Sequence, residues 1–450
     1  MRLVHTADWH LGQTFGPFSR DLEHAAFLHW LLDVLEDERA DALLVCGDVF
    51  DTGNPVPTAQ RRYYDFLAAA RGRLPKLAMV VIGGNHDAPH RLDAPSPVLA
   101  HLGVHVVGSL PRTAAAARPI DLARCVLPLR GPSGEVEAVV AAVPFLRMAD
   151  LEPAAPHEAR TGDVVVDGAL QAHARVIEGA VAHASGGAAV LALGHGLWSG
   201  GRVTKDSERA IYGNAHALPV EMFGSDVTYA ALGHLHFAQT VGGLPRVRYS
   251  GSPIPLSMTE RSYRHAVNVV DIEGCTLRSV RTREVPRTVD LVRVPDGCEP
   301  EPLDVVLDRL RALALPDPSH DGCDLRPFLD VRVRLAAPTP DVRARVEQAL
   351  EGKPVRLLRV HVELPGEGGA LADGTTLSSL GDLDPVCVLE SLYRRTFGGG
   401  VPEALASAFH ELLEDTRAER ASAADARSGG VTGVPAGVTA RAARNSEVQL

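Results

Sequence analysis

The chain has 450 residues, room for two or three domains, with 45% hydrophobic and 22% charged residues, an ordinary globular mix. A formal net charge of −11 does not announce a nucleic-acid binder, and no apolar stretch approaches the length of a membrane span. Cys46, Cys125, Cys275, Cys298, Cys323 and Cys387 form no CxxC pair and no disulfide-dense pattern. With an N-terminus that opens on a predicted strand rather than a basic segment and apolar leader core, this predicts a cytoplasmic protein.

In chain order, Leu3–Thr6 is the first predicted strand and leads into Asp8-Trp9-His10. Phe27, Leu31, Val34 and Leu35 share one helical face. Ala42–Cys46 leads into Gly47-Asp48-Val49-Phe50-Asp51, and a helix follows over Thr58–Ala70. Leu77–Ile82 leads into Gly84-Asn85-His86-Asp87. After a helix over Gly168–Ala184, Ala189–Leu193 leads into Gly194-His195, and Val227–Leu232 into Gly233-His234-Leu235-His236. The last four of these strands are continuous apolar runs, as expected of strands buried on both faces. Arg246–Tyr249, Ala266–Ile272 and Leu277–Thr282 read as further strands that extend the sheets into a sandwich.

Near Pro286 the pattern changes to strand-helix-strand-helix-strand. Val289, Leu291 and Val294 mark the first strand, and Leu303, Val306, Leu310 and Leu313 a helix. Val331, Val333 and Leu335 alternate with Arg332 and Arg334, and Leu358, Val360, Val362 and Leu364 alternate again. Between them Thr339 is expected to cap a helix begun by Pro340 and carrying Val342, Val346 and Leu350. Arg332, Arg334, Arg343, Arg345, Arg356 and Arg359 are candidates for phosphate contact, with a solvated face as the equal alternative. A Gly-rich linker precedes two amphipathic helices, with Val386, Leu389, Tyr393 and Phe397 on one and Leu405, Phe409, Leu412 and Leu413 on the other. From about Ala421 the composition predicts a disordered tail.

Chemistry concentrates in the five polar motifs. They supply Asp, Asn and His side chains, ligands suited to Mn²⁺, Fe²⁺ or Zn²⁺. Each follows a predicted strand, and open α/β sheets build their sites at the carboxyl ends of strands, so the motifs should converge on one rim. A Gly opening four of them is expected to let the chain turn with positive φ. A single Asp or His after a strand is usually a cap or a turn residue, but that explanation weakens for five motifs in this order. It holds for His24, His29, His101, His173 and His183, all on predicted helices. His90 is a weaker candidate to stand behind the site, Asp51 to reach substrate or fix its loop, and the Tyr249–Pro253 turn to line it. Arg20 and Arg61 read as surface ion-pair partners.

The motif set resembles the calcineurin-like metallophosphoesterase superfamily. The longer strings His5-Thr6-Ala7-Asp8-Trp9-His10-Leu11-Gly12, Gly47–Gly53 and Tyr249–Ser257 resemble the SbcD family of nuclease subunits most closely over residues 1–285. Cys46 departs from the small residue this family often has there, at a position that is not a ligand. The resemblance implies a layered α/β fold: a β-sandwich metallophosphoesterase core with helices on its outer faces (1–285), a small α/β capping domain (286–365), a linker (366–381), a C-terminal helical pair (382–420) and a tail (421–450). It implies Asp8, His10, Asp48 and His236 as ligands of one metal and Asp48, Asn85, His195 and His234 of another, with Mn²⁺ expected and Asp48 as the bridge. His86 is then the proton donor or charge stabiliser, oriented by Asp87 or another nearby acceptor.

The same resemblance implies a DNA exonuclease and hairpin or single-strand endonuclease. It would act in a heterotetramer, as a homodimer of nuclease domains with an SbcC-type coiled-coil ATPase, away from membranes. The alternative is a stand-alone phosphatase or nucleotide phosphodiesterase, for which an appended helical docking module would have no use. A purely structural role with vestigial metals is disfavoured by the intact ligand set.

Overall fold

The continuous apolar runs form strands because each has a hydrophobic surface to meet on both sides. A computed structural model describes residues 1–115, 119–131, 133–151, 161, 163–202, 217–297, 299–315, 319–320, 323–364 and 393. The chain divides at Glu363 into two units, Met1–Glu363 and Leu364–Leu450. Tyr393 apart, the linker, helical pair and tail expected from the sequence lie outside the described residues.

Two mixed six-stranded sheets pack face to face. The first has the order Thr276–Glu284, Ala266–Glu273, Arg2–Thr6, Ala42–Cys46, Ala78–Ile82, Val104–Val107. The second has the order Gln239–Val241, Leu244–Tyr249, Tyr229–Gly233, Ala189–His195, Val136–Ala142, Val126–Arg130. The alternation of a strand decides which core each residue joins. Leu3, Ala42, Leu44, Cys46, Val80 and Ile82 face the second sheet. Val4, Leu43, Val45, Met79 and Val81 face outward, under the helices Asp21–Asp37 and Pro57–Arg73. The predicted helical face of Phe27, Leu31, Val34 and Leu35 is buried there. Each such side chain contributes about 1.5–3 kcal/mol through burial. The helix Val164–His183 covers the second sheet. The late strands extend both sheets: Leu244–Tyr249 joins the second, and Ala266–Glu273 and Thr276–Glu284 the first.

The four strands Arg2–Thr6, Ala42–Cys46, Ala78–Ile82 and Val104–Val107 are parallel, as are Val136–Ala142, Ala189–His195, Tyr229–Gly233 and Leu244–Tyr249. Their carboxyl ends carry all five polar motifs. Residues 286–363 form a separate small four-stranded sheet in which Phe328–Arg334 lies parallel between Leu291–Val294 and Arg356–Glu363. The helices Leu303–Ala312 and Val342–Ala349 pack on it. Among the described residues no helix is long and apolar enough to cross a membrane.

Three sequence expectations need correction. Arg20 is not a surface residue. It is fully buried beside the small sheet, donating to Glu23, to Gln13 Oε1 (3.0 Å) and to the Pro255 carbonyl, with its guanidinium over the rings of Phe15 and Phe328. Arg356, expected on an exposed face, is also buried and lies 3.9 Å from the Phe328 ring centroid. Alternation places alternate side chains on opposite faces of a strand, and it cannot show that both faces of this one meet protein. Thr339 is not the cap. Asp341 precedes the helix in a left-handed conformation, and the Thr339 hydroxyl donates to the Ala337 carbonyl. Arg61 is exposed and lies 3.8 Å from Asp65, as expected.

Glu38 caps the carboxyl end of the helix Asp21–Asp37, where the helix dipole disfavours an anion. Arg281 and Arg283, from the strand Thr276–Glu284, reach its carboxylate at 2.8 and 2.5 Å. The hydrogen bond from Arg281 is the main reason its carboxyl is held down at about 2, against an ordinary value of 4.5. A carboxyl depressed in the folded state stabilises the protein in full above its unfolded value, and that contribution is lost as pH falls toward the folded one. Glu38→Gln is therefore expected to lower the urea midpoint most above about pH 4.5. The gap to wild type should close as the pH is taken down toward 2. A gap independent of pH would show that the arginines do not act through the charge.

Candidate metal centre

Main-chain bonds first lace the motif loops together. The Asp8 N–H donates to the Gly47 carbonyl (3.0 Å), His10 N–H to the Asp48 carbonyl (3.0 Å) and Leu11 N–H to the Val49 carbonyl (2.9 Å). The His234 N–H donates to the Asp8 carboxylate at 2.9 Å, which ties the second sheet to the first. Six non-glycine residues among those described have positive φ, and four of them are Asp8, His10, Asp48 and His234. Such backbone is costly for residues with a Cβ and persists where the surroundings over-determine it.

The glycines therefore act differently from the sequence expectation. Gly47 does take positive φ, at 85°. Gly84 does not, and its role is close approach: a Cβ there would lie 2.1 Å from Asp48 Oδ1 and 2.2 Å from the Asp48 nitrogen. The ligand-bearing residues supply most of the left-handed turns themselves.

All eight candidate residues meet at one rim. Asp8, His10 and His236 place donor atoms within 4.8 Å of one another, as do Asp8, Asp48 and His195, and also His10, Asp48 and His86. Asn85 Oδ1 lies 2.8 Å from His195 Nε2 and 2.9 Å from His234 Nδ1. Asp48 Oδ2 is 3.5 Å from both His10 Nε2 and His195 Nε2, and Asp48 Oδ1 accepts the His86 N–H at 2.8 Å. Asp48 thus stands at the centre of the cluster.

Each of four imidazoles is anchored through Nδ1. His195 donates to the Cys46 carbonyl (2.8 Å) and His86 to the Asp51 carbonyl (2.8 Å). His10 faces the Asp51 carboxylate at 3.2 Å and His236 the Glu260 carboxylate at 3.1 Å. The anchor fixes the tautomer and leaves Nε2 for the site. His86 is thus oriented by the Asp51 main chain and not by Asp87. Asp87 instead accepts the N–H groups of Val49, Phe50 and Gly84 at 3.2, 2.9 and 2.8 Å, and so shapes both loops.

The electrostatics call for a cation. Asp8, Asp48 and Asp87 are all buried. Burial pushes the Asp8 carboxyl up, against the pull of His195 and His236, and burial together with Asp48 raises Asp87. Burial acts upward on Asp48 too, but His195, His10 and His86 outweigh it and hold the carboxyl below the usual range. Burial alone would lower His195, yet Asp48 and Asp8 carry it up to about 9. Burial, then His195, brings His234 down to about 3. Among the described residues, His10 Nε2 is buried with no hydrogen-bond partner. Clustered buried carboxylates, an orphaned imidazole nitrogen and two further ring nitrogens aimed at one amide oxygen fit divalent cations held by mixed N and O donors.

The remaining candidates fall away from the rim. His29, His90 and His101 are exposed, His173 stacks edge-on against Trp198, and His183 donates to the Gly179 carbonyl. His24 is buried in the helix Asp21–Asp37, where burial brings it down to about 3. The Tyr249 hydroxyl bridges Gly196 and Trp198 behind His195, and Ser252 reaches Glu260. Glu260 was not anticipated. The available signal was its isolation, as the one acidic residue between Asp226 and Asp271.

Gly84→Ala tests the packing around Asp48. Overpacking of this kind costs about 1–3 kcal/mol, so divalent-cation affinity in calorimetric titration is expected to drop roughly 5- to 150-fold. Wild-type affinity would show that Asp48 need not stay where it is.

Two family models match the chain: the calcineurin-like phosphoesterase over residues 1–129, and the type 5 capsule protein repressor C-terminal domain over residues 287–397. The chain is 42% identical over 369 residues to the SbcD subunit of the SbcCD nuclease of Rhodobacter capsulatus, covering 81% of this chain and 88% of that one. It is 32% identical to the protein of that name in Escherichia coli K12, covering 80% and 84%. With the Bacillus subtilis protein of that name the identity is 39%, covering 60% and 66%.

Proposed function

The chain belongs to the SbcD family of metal-dependent nuclease subunits, and on that footing we propose how its site cuts a phosphodiester. The reading rests on one observation: residues from five motifs, spread from Asp8 to His236, bring their metal-binding atoms into one cluster that includes Asp48. Asp8, His10, Asp48 and His236 would hold one divalent ion, and Asp48, Asn85, His195 and His234 the other, with Mn²⁺ as the working metal. A bound pair of such ions supplies Lewis-acid charge to the phosphate and acidifies water. Asp48 would serve both positions, because its carboxylate lies 3.5 Å from both His10 Nε2 and His195 Nε2.

His86 keeps a different task. Its Nδ1–H is held by the Asp51 carbonyl, so a proton taken up at Nε2 leaves an N–H free for the phosphate oxygens and then for the leaving oxygen. It is only half-buried, unlike His10 and His195, and so stands where substrate would approach. Asp87 and the Asp48 carboxylate fix its loop through main-chain N–H groups. Phosphoryl transfer is governed by positioning and charge, which these contacts provide.

The substrate is DNA, cut exonucleolytically at duplex ends and endonucleolytically at hairpins and single strands, in the cytoplasm. Residues 286–365 act as the capping domain and 366–381 as a linker. The helices over 382–420 dock on the coiled coil of an SbcC-type ATPase, with two nuclease domains paired in the assembly. The relatives' name carries that partnership for them, and the two apolar faces in this sequence suit it here.

Asp48→Ala is expected to lose both tightly bound Mn²⁺ ions together with nuclease activity. Metal analysis after gel filtration checks this, and two retained metals would refute the bridge. His86→Gln is expected to keep both metals while the cleavage rate falls about 10²–10⁴-fold. Loss of metal with unchanged rate per bound metal would make His86 a ligand instead.

A further inference from the structure

Glu260 is fully buried yet belongs to none of the five motifs. It lies in the short turn Met258–Ser262, after the Tyr249–Ser257 string. Its Oε1 accepts from His236 Nδ1 at 3.1 Å and from the Ser257 hydroxyl at 3.2 Å. Its Oε2 accepts the Leu256 N–H at 2.8 Å and faces the Ser252 hydroxyl at 3.4 Å. A carboxylate with this many donors is locked in position.

The turn itself is held from the capping side. Met258 packs with Val289, Leu291 and Phe328. Arg293 Nη2 lies 3.3 Å from the Met258 carbonyl, Arg261 pairs with Asp296 at 2.7 Å, and Arg287 donates to the Arg261 carbonyl at 2.7 Å. Glu260 is therefore a rigid anion that arrives at the site from the side of residues 286–363.

We infer that Glu260 is a positioning residue for one of the two metals: its carboxylate fixes the His236 ring with Nε2 toward the site and makes that nitrogen a stronger donor. The inference rests on His236 being a ligand. An ionised acceptor on Nδ1–H selects the tautomer whose lone pair sits at Nε2 and pushes electron density toward it. Removal of such an outer partner typically costs 10–100-fold in metal affinity. The effect should be confined to the metal that His236 serves, because His195, His10 and His86 take their anchors from Cys46 and Asp51.

The test is calorimetric titration of the metal-free full chain with Mn²⁺, for wild type, Glu260→Gln, Glu260→Asp and His236→Ala, with melting curves in chelator. Glu260→Gln keeps the size and removes the charge. It is expected to weaken one Mn²⁺ site about 10–100-fold and leave the other within roughly threefold. The His236 ¹⁵N signals of the metal-free protein should lose their Nδ1–H tautomer signature. Wild-type affinity at both sites, or an equal loss at both, overturns the inference. If Glu260→Gln does not fold, Glu260→Asp decides by the same criteria. His236→Ala separates the two claims. If it binds both metals normally, the ligand assignment fails. If it loses one site while Glu260→Gln loses none, the assignment stands and Glu260 has no positioning role.

Discussion

The constraint on which the molecule depends is the burial of Asp8 and Asp48, at 0% and 2% exposure, where two sheets meet. Two carboxylates cannot be withdrawn from water side by side without compensation, since each carries a desolvation penalty of several kcal/mol. The fold meets part of this with main-chain donors: His234 N–H on Asp8 and His86 N–H on Asp48. The rest is left to imidazoles and to cations. The same shortage of compensation that would destabilise an apolar core gives this rim its affinity for divalent metals. Both sheets contribute, with Asp8, Asp48 and Asn85 following strands of the first and His195, His234 and His236 at or beyond strands of the second. Divalent ions bound at this rim would therefore also fasten the two sheets together.

Much of this was legible in the sequence because it rests on local signals. Continuous apolar runs such as Ala42–Cys46 and Ala189–Leu193 mark strands with protein on both faces, and a polar motif after each marks a shared rim. The eight candidate site residues were all found this way, and the structure gathers them. What escaped depends on contacts distant in sequence. Arg20 looks like any charged residue before a helix until Glu23, Pro255 and Phe328 enclose it. Arg356 alternates like an exposed residue, yet its strand lies under Phe18 and Phe328. Glu260 has no motif because the contact that marks it is with a residue 24 positions away.

The glycine reading held at Gly47 and not at Gly84, Gly194 or Gly233. Glycine was expected to make the turn at the opening of four motifs, but steric relief around a crowded carboxylate is a tertiary demand. Gly84 is small because Asp48 occupies the space its Cβ would take. The turns themselves are made by Asp8, His10, Asp48 and His234, held in positive φ by the loops laced around them.

The four anchored imidazoles divide into two kinds, and the division bears on how such a site evolves. His195 and His86 hang from main-chain carbonyls, those of Cys46 and Asp51. Every residue type offers the same carbonyl, so drift at position 46 leaves the His195 tether intact, and a cysteine there costs the site nothing. His10 and His236 hang from side-chain carboxylates, those of Asp51 and Glu260. Those two tethers are open to selection one substitution at a time. Ancestral variants could thus retune the His10 and His236 side of the cluster while the orientations of His195 and His86 were inherited unchanged.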